Sequence, residues 1–477
     1  MKIREAKIVS AHTDTFEWIF AEKANNKKPA GFRYWLKREA GIFWVMGKAG
    51  SGKSTLMKFL INHCQTGCAL SEWAGTKKLI VASFFFWHAG TDMQNSQEGL
   101  FRSLLFEILR QYPALIPKIV EKSQSVPGYD SIEESWTIPK LLECFTRLRK
   151  QTTDTAKFCF FIDGLDEYDG ESSDLVQALQ DLLKSPNIKI CASSRPWFIF
   201  KDAFGQSPDH MLKLEHLTRQ DIATFINDTL GTHPRFVKLR EKDNRYFDLI
   251  QQIMEKARGV FLWVFLVTKS LQRGLTNADK ISDLQRRISL LPDSLEEYFR
   301  LMFRSIEDVY REQTARLFQY ALNPPPSEPI PLLVFSYLHE DDPDFALKVK
   351  GPHTKLEEVH TRYEDTKRLL DGRTRGLLEV TEPTTFTDLP TVDFLHRTVR
   401  DFFLTKEMQH MLKSNLDPTF VVDVDMCKAF LAHTKLGPRN PAGGFLSSVL
   451  HYVHDVEERT ESAASEIVDE IEKLIVS

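Results

Sequence analysis

A chain of 477 residues, 42% apolar and 27% charged, has the composition of a folded protein, and its length calls for about three domains of ~150 residues each. The net charge of −4, from 62 basic and 66 acidic residues, provides no global field toward nucleic acid or an anionic membrane. The first ten residues are charged and lack the apolar core of a secretory signal, and the longest apolar run, Val260–Val267, falls far short of the about 20 residues a spanning helix needs. A cytoplasmic location is therefore expected.

Residues 1–40 read as one or two helices, with Phe16, Trp18, Phe20, Phe32, Tyr34 and Trp35 at helical spacing and suited to packing on the core of the first domain. The chain is then organised around Gly41–Leu60, where an apolar run (Ile42–Met46) reads as a buried strand and Ser54 onward as an amphipathic helix. Between them lies Gly47-Lys48-Ala49-Gly50-Ser51-Gly52-Lys53-Ser54, which fits the phosphate-binding loop pattern. Glycines permit positive φ, so successive N–H groups turn inward around a β-phosphate, and the helix N-terminus adds its partial positive charge. Lys53 is placed to bridge the β- and γ-phosphates and Ser54 to ligate Mg²⁺; Gly47, Ala49, Gly50, Ser51, Gly52 and Thr55 complete the expected ATP or ADP contacts. A glycine- and serine-rich linker would meet the pattern without a readable strand before it and helix after it. Nearby, His63, Cys64 and Cys68 have no second cluster to complete a metal site and read as a packed helix end.

Lys78–Trp87 is a continuous apolar run, as expected of a strand covered on both faces. Gln94–Gln111 reads as one helix with Leu100, Leu104, Leu105, Ile108 and Leu109 on a stripe, and 113–135 as a surface loop. After a helix near 138–150, Lys157–Asp169 (KFCFFIDGLDEYD) is a buried strand delivering Asp163 to its C-terminal edge, where ligands bind in open α/β sheets. Asp163 is placed to hold Mg²⁺, and Asp166 or Glu167 to polarise an attacking water. A solvated acidic turn is the bland alternative. A helix over 174–184 leads to a fourth strand, Ile188–Ala192, ending in Ser193-Ser194-Arg195-Pro196. Arg195 either senses the γ-phosphate or pairs with the acidic cluster. Cys159 and Cys191 fall inside core strands and suit reduced thiols.

Beyond Leu214, Thr218–Asp221 reads as a capping box opening a helix to Leu230, followed by helices near 245–273, 281–291 and 293–322. Prolines 324, 325, 326, 329 and 331 mark a boundary. A short helix at 332–338, strands at 376–382 and 391–395 and a helix at 397–403 suggest a winged-helix-like unit; 420–477 reads as helices. No repeat of period 20–50 is present.

The set FWVMGKAGSGKST, FFIDGLDE, CASSRP and LTRQDI, with TFEWIF, GVFLWV and VDFLHRTVRDFF, resembles the NACHT branch of the STAND signal-transduction NTPases, in particular the fungal group with a nephrocystin-like N-terminal region. The resemblance covers about residues 10–405. It implies an α/β P-loop NTPase, a mostly parallel sheet between helices, at 41–214 after a helical lead-in (1–40). An α-helical domain (215–323), a winged-helix-like segment (324–405) and a helical C-terminal segment (406–477) of unknown role would follow. It further implies that nucleotide exchange and slow hydrolysis switch oligomerisation or signalling. By the same resemblance Lys53 and Ser54 bind phosphate and Mg²⁺, Asp163 is the Walker B acid, Arg195 the sensor, and His396 a contact to the ADP β-phosphate. Such proteins also carry an effector domain and sensor repeats, which this chain does not display, so it is either a short member or a fragment. A rival reading is a catalytically weak scaffold acting through protein partners. A guanine-reading Asn-Lys-x-Asp and a transporter-type Ser-Gly-Gly-Gln signature are both missing from the sequence, which disfavours those classes. A small-molecule kinase and a DNA-dependent ATPase are weaker alternatives.

Overall fold

The computed structural model describes residues 3–20, 31–38, 40–88, 90–120, 136–151, 155–216, 218–325, 330–342, 344–349, 356–381, 389–436, 449–454 and 467–470. The chain divides into two compact units, residues 1–291 and 292–477. The reading of 121–135 as loop, two of the five boundary prolines and most of the tail beyond 436 lie outside the described residues.

The first unit is built on a parallel sheet of β1 (Gly41–Met46), β2 (Lys78–Phe85), β3 (Ala156–Asp163), β4 (Ile188–Ser194) and β5 (Met211–Lys213), in the order β2-β3-β4-β1-β5. Successive side chains of a strand point to opposite faces. Trp44, Phe84, Phe158, Phe160 and Ile190 therefore enter one core, with helices Gln97–Gln111, Ile138–Gln151 and Ser172–Leu183. Phe43, Val45, Cys159, Phe161 and Cys191 enter the other, with helices Gly31–Arg38, Lys53–Asn62 and Cys64–Ala74. Two such cores need apolar residues at every strand position, and this is why the strands read as unbroken hydrophobic runs. β5, only three residues long, carries no pattern and was not expected. Lys189 is a buried exception within β4: its Nζ donates to the carbonyls of Trp35 and Leu36 (2.8 Å each) and lies 4.0 Å from the Trp73 ring centre.

Several expected helices are broken by local chemistry. The single helix over 94–111 is two, Asp92–Asn95 and Gln97–Gln111, because Ser96 turns extended and its hydroxyl accepts from Gly99 N (3.1 Å). Residues 113–119 are helical turns, not loop. Glu17–Ile19 forms a 3₁₀ turn, and the Phe16 and Phe20 that flank it pack on Phe59 of the helix after the loop. His63 caps the helix Cys64–Ala74.

The helical part comprises Arg219–Gly231, Pro234–Lys242, Tyr246–Ala257, Phe261–Thr276 and Ile281–Leu290. The helix expected over 245–273 breaks at Arg258 and Gly259, both left-handed (φ 46° and 78°). A Cβ at Gly259 would stand 2.5 Å from Glu215 Cα, so only glycine lets these segments approach. The expected capping box is not made. Thr218 contributes no side-chain bond, and Asp221 instead accepts from Phe16 N (3.3 Å) and Trp18 Nε1 (2.8 Å).

In the second unit, β6 (Ile330–Pro331), β7 (Leu378–Thr381) and β8 (Thr391–Phe394) form an antiparallel sheet in the order β6-β8-β7. The helix expected over 293–322 is two, Leu295–Arg304 and Arg311–Leu322, separated by a 3₁₀ turn. Phe318 of the latter stacks on Phe403 at 3.9 Å, and Phe394 joins the same cluster. Helix Leu356–Thr374 was not expected: its charge-dense sequence hides the apolar face. Among the described residues no helix is long and apolar enough to cross a membrane.

Candidate functional site

β4 lies between β1 and β3, so its C-terminal end separates the loop after β1 from the acidic end of β3 and touches both. Gly47 N donates to the Ser194 carbonyl (3.3 Å), and Trp44 Nε1 donates to Ser194 Oγ (2.9 Å). Ser193 Oγ donates to Asp163 Oδ1 and accepts from Gly164 N (3.0 Å). The Ser193-Ser194 pair thus joins the two halves of the site, a role that a serine doublet at a strand end did not by itself announce.

The loop takes the conformation its glycines allow. Gly50 and Gly52 have φ of 70° and 93°, and Gly52 opens the helix Lys53–Asn62. At Gly47 a Cβ would meet Ser51 Oγ at 2.6 Å. Ala49 lies in the turn with Gly50, and Thr55 in the first helical turn. Lys53 Nζ donates to the carbonyls of Gly47 (2.8 Å) and Lys48 (2.9 Å). Burial lowers the Lys53 pKa, while Asp166 and Asp163 act to raise it. From the helical part, Leu262 N donates to the Gly50 carbonyl (3.0 Å), so the helix Phe261–Thr276 begins on the loop itself.

Asp163 is buried. Burial pushes its carboxyl above the usual carboxylate range, opposed by hydrogen bonds from Ser193 and Ser54 and by the charges of Arg4 and Lys53. The hydroxyl and carboxylate expected to share Mg²⁺ belong to one site, with Ser54 acting to lower the Asp163 pKa. That oxygen pair is a hard donor set that fits this ion, which takes few protein ligands and leaves the rest to phosphate and water.

Asp166 and Glu167 sit in a buried 3₁₀ turn (Leu165–Glu167) opened by the left-handed Gly164. Asp166 Oδ1 accepts from Arg195 N (2.9 Å), and Oδ2 pairs with Arg195 Nε at 3.1 Å. Of the two sequence alternatives for Arg195, the structure displays pairing with the acidic cluster. Glu167 Oε2 accepts from His88 N (3.2 Å). His396 lies in the second unit as the N-cap of helix Arg397–Leu404, its Nδ1 accepting from Thr398 N (3.1 Å). Among the described residues no three of His, Cys, Asp or Glu form a metal-binding group.

A parallel sheet flanked by helices, a glycine-rich loop with Lys53 and Ser54, and an acidic strand end beside it define a P-loop NTPase fold. Residues 14–195 match the family model described as nephrocystin 3, N-terminal, and residues 305–442 match a domain family of unknown function, DUF7791. The vegetative incompatibility protein HET-E-1 of Podospora anserina is 26% identical over 240 residues, 48% of this chain and 16% of its own length. The chain thus spans about a sixth of that relative. Solved structures overlay loosely. A STAND protein with a tetratricopeptide repeat sensor from Pyrococcus horikoshii has a TM-score of 0.32 at 12% identity, covering 96% of this chain and 56% of its own. Drosophila ORC bound to DNA has a TM-score of 0.30 at 12% identity, covering 78% and 91%. Residues 14–195 thus match the nephrocystin 3 N-terminal family, and over 48% of its length the chain is similar to HET-E-1, in line with its resemblance to the NACHT-type STAND P-loop NTPases.

Proposed function

We propose that this chain is an ATP- and ADP-binding switch whose slow Mg²⁺-dependent hydrolysis controls self-association or engagement of protein partners. One observation carries the reading: the Ser193-Ser194 doublet at the end of β4 holds Asp163 through Ser193 Oγ and the glycine-rich loop through the Ser194 carbonyl, which sets the acidic end of β3 beside the loop that leads into Lys53 and Ser54. In this reading the loop amides and Lys53 hold the β- and γ-phosphates, with the helix N-terminus favouring the same anion. Mg²⁺, when bound, supplies charge neutralisation on the phosphate oxygens. Ser54 and Asp163 are the residues that would hold it. Glu167 is taken as the water-positioning carboxylate, because both oxygens of Asp166 are engaged by Arg195.

Leu262 N on the Gly50 carbonyl gives the helical part a direct contact with the loop, so a change in loop conformation on nucleotide exchange is passed to that helix. The γ-phosphate biases the switch only through differential affinity of the two states. We take 41–214 as the nucleotide domain, 215–323 as the helical domain and 324–405 as the winged-helix-like segment, with His396 contacting ADP in the closed form. A cytoplasmic site of action and a fungal setting accord with this reading. A second reading, a catalytically weak scaffold, is favoured by the commitment of Asp166 to Arg195.

The test is calorimetric titration of the protein with ATP and ADP in Mg²⁺, alongside Lys53→Ala. Micromolar binding lost in the variant supports the switch. Absence of binding in both leaves the scaffold, and a Lys53→Ala protein that still switches its partners would overturn the nucleotide reading.

A further inference from the structure

The register of β2 on β3 pairs Ser83 with Phe161 and Phe85 with Asp163, so all four side chains share one face of the sheet. The N-terminal helix Ile3–Lys7 lies against that face. Glu5 Oε2 accepts from Ser83 Oγ (3.3 Å), and Lys58 Nζ, on the helix after the phosphate loop, donates to the Ile8 carbonyl (2.5 Å). This fixes the position of Arg4. Its guanidinium lies 5.7 Å from the ring centre of Trp87, two residues past the end of β2, and the ammonium of Lys7 lies 4.6 Å from the same ring. Arg4 Nε is buried and makes no hydrogen bond.

The strand order gives this placement a direction. The phosphate loop comes after β1, Asp163 ends β3, and β2 with Arg4 beside it lies on the side of β3 away from the loop. In a phosphate chain whose β-phosphate sits in the loop amides, the terminal group is the one that extends past β4 toward β3, the side on which β2 and Arg4 lie. A buried guanidinium N–H without an acceptor is costly, and a phosphate oxygen is the acceptor whose geometry matches its fork.

We propose that Arg4 binds the terminal phosphate of a nucleoside triphosphate, so that the N-terminal helix distinguishes the triphosphate from the diphosphate form. The proposal rests on the phosphate-loop reading above. It makes helix Ile3–Lys7, held by Glu5 and Ile8, an element whose docking reports the nucleotide bound.

The experiment is calorimetric titration of the full chain, in Mg²⁺, with ADP and with a non-hydrolysable ATP analogue, for wild type, Arg4→Ala and Arg4→Lys. Arg4→Ala is expected to lose about tenfold or more in affinity for the triphosphate while ADP affinity stays unchanged, since one charge-assisted contact is removed. Arg4→Lys, which keeps the charge and the ring contact but loses the fork, is expected to recover part of the loss, and it carries the comparison if Arg4→Ala does not fold. Equal losses for both nucleotides would assign Arg4 a purely structural role and overturn the proposal, as would no loss for either. Wild type binding neither nucleotide would overturn the phosphate-loop reading itself, a failure separate from a wild type that binds both but fails to discriminate through Arg4.

Discussion

Asp166 holds Arg195 at two points, the backbone N–H at 2.9 Å and the guanidinium Nε at 3.1 Å, and so ties the turn after β3 to the end of β4. The carboxylate is almost fully buried, with 3% side-chain exposure against 27% for the arginine. Removing the guanidinium takes the charged partner from a buried carboxylate and leaves it the backbone N–H. Arg195→Ala is expected to lower stability by about 1–3 kcal/mol in urea unfolding, and Asp166→Asn, which keeps one acceptor for the backbone N–H, by less. Equal and negligible effects would show that the pair does not brace the site.

Asp221 bridges the helical part to the aromatic lead-in through Trp18 Nε1 and Phe16 N. Asp221→Ala leaves both donors without that acceptor and is expected to cost about 2–3 kcal/mol. Trp18 fluorescence should shift with the loss, whereas Asp221→Asn should leave most of the signal in place.

Gly259 has a φ of 78° and stands against the Glu215 backbone. Alanine there adds the left-handed strain of an L-residue to a backbone clash, and Gly259→Ala is expected to destabilise by at least about 2 kcal/mol. Because the next helix starts at Phe261 and its Leu262 N bonds the Gly50 carbonyl, nucleotide affinity should fall in the same variant.

His433, buried in helix Val422–Leu436, has its pKa lowered by burial from 6.5 to about 4. The folded state therefore disfavours the imidazolium. The stability held by the neutral ring is complete above the unfolded pKa of 6.5 and is lost as pH falls from there toward 4, by up to roughly 3 kcal/mol. Unfolding midpoints measured between pH 7 and 4.5 should fall in wild type more steeply than in His433→Gln.

The features legible in the sequence are local ones. The glycine-rich loop, its lysine and serine, and an apolar strand ending in Asp163 are each continuous in the chain, and their chemistry comes from backbone conformation and residue type alone. Apolar runs likewise announced β1 to β3, because a strand covered on both faces has no polar phase to keep, and β4 was legible despite Lys189. The remaining features depend on contacts between distant segments. Whether Arg195 faces a phosphate or Asp166 depends on β4 lying next to β3, a pairing between segments about thirty residues apart. Thr218–Asp221 has the spacing of a capping box, yet Asp221 is drawn to Trp18 and Phe16, 203 and 205 residues away, where a half-buried indole N–H and a buried backbone N–H offer it more than the helix end does. The placement of Arg4 over Trp87, just past the end of β2, has the same origin. It arises from the register of β2 on β3 and the docking of a five-residue helix too short to leave a periodic trace, so contacts distant in sequence fixed what no local pattern encodes.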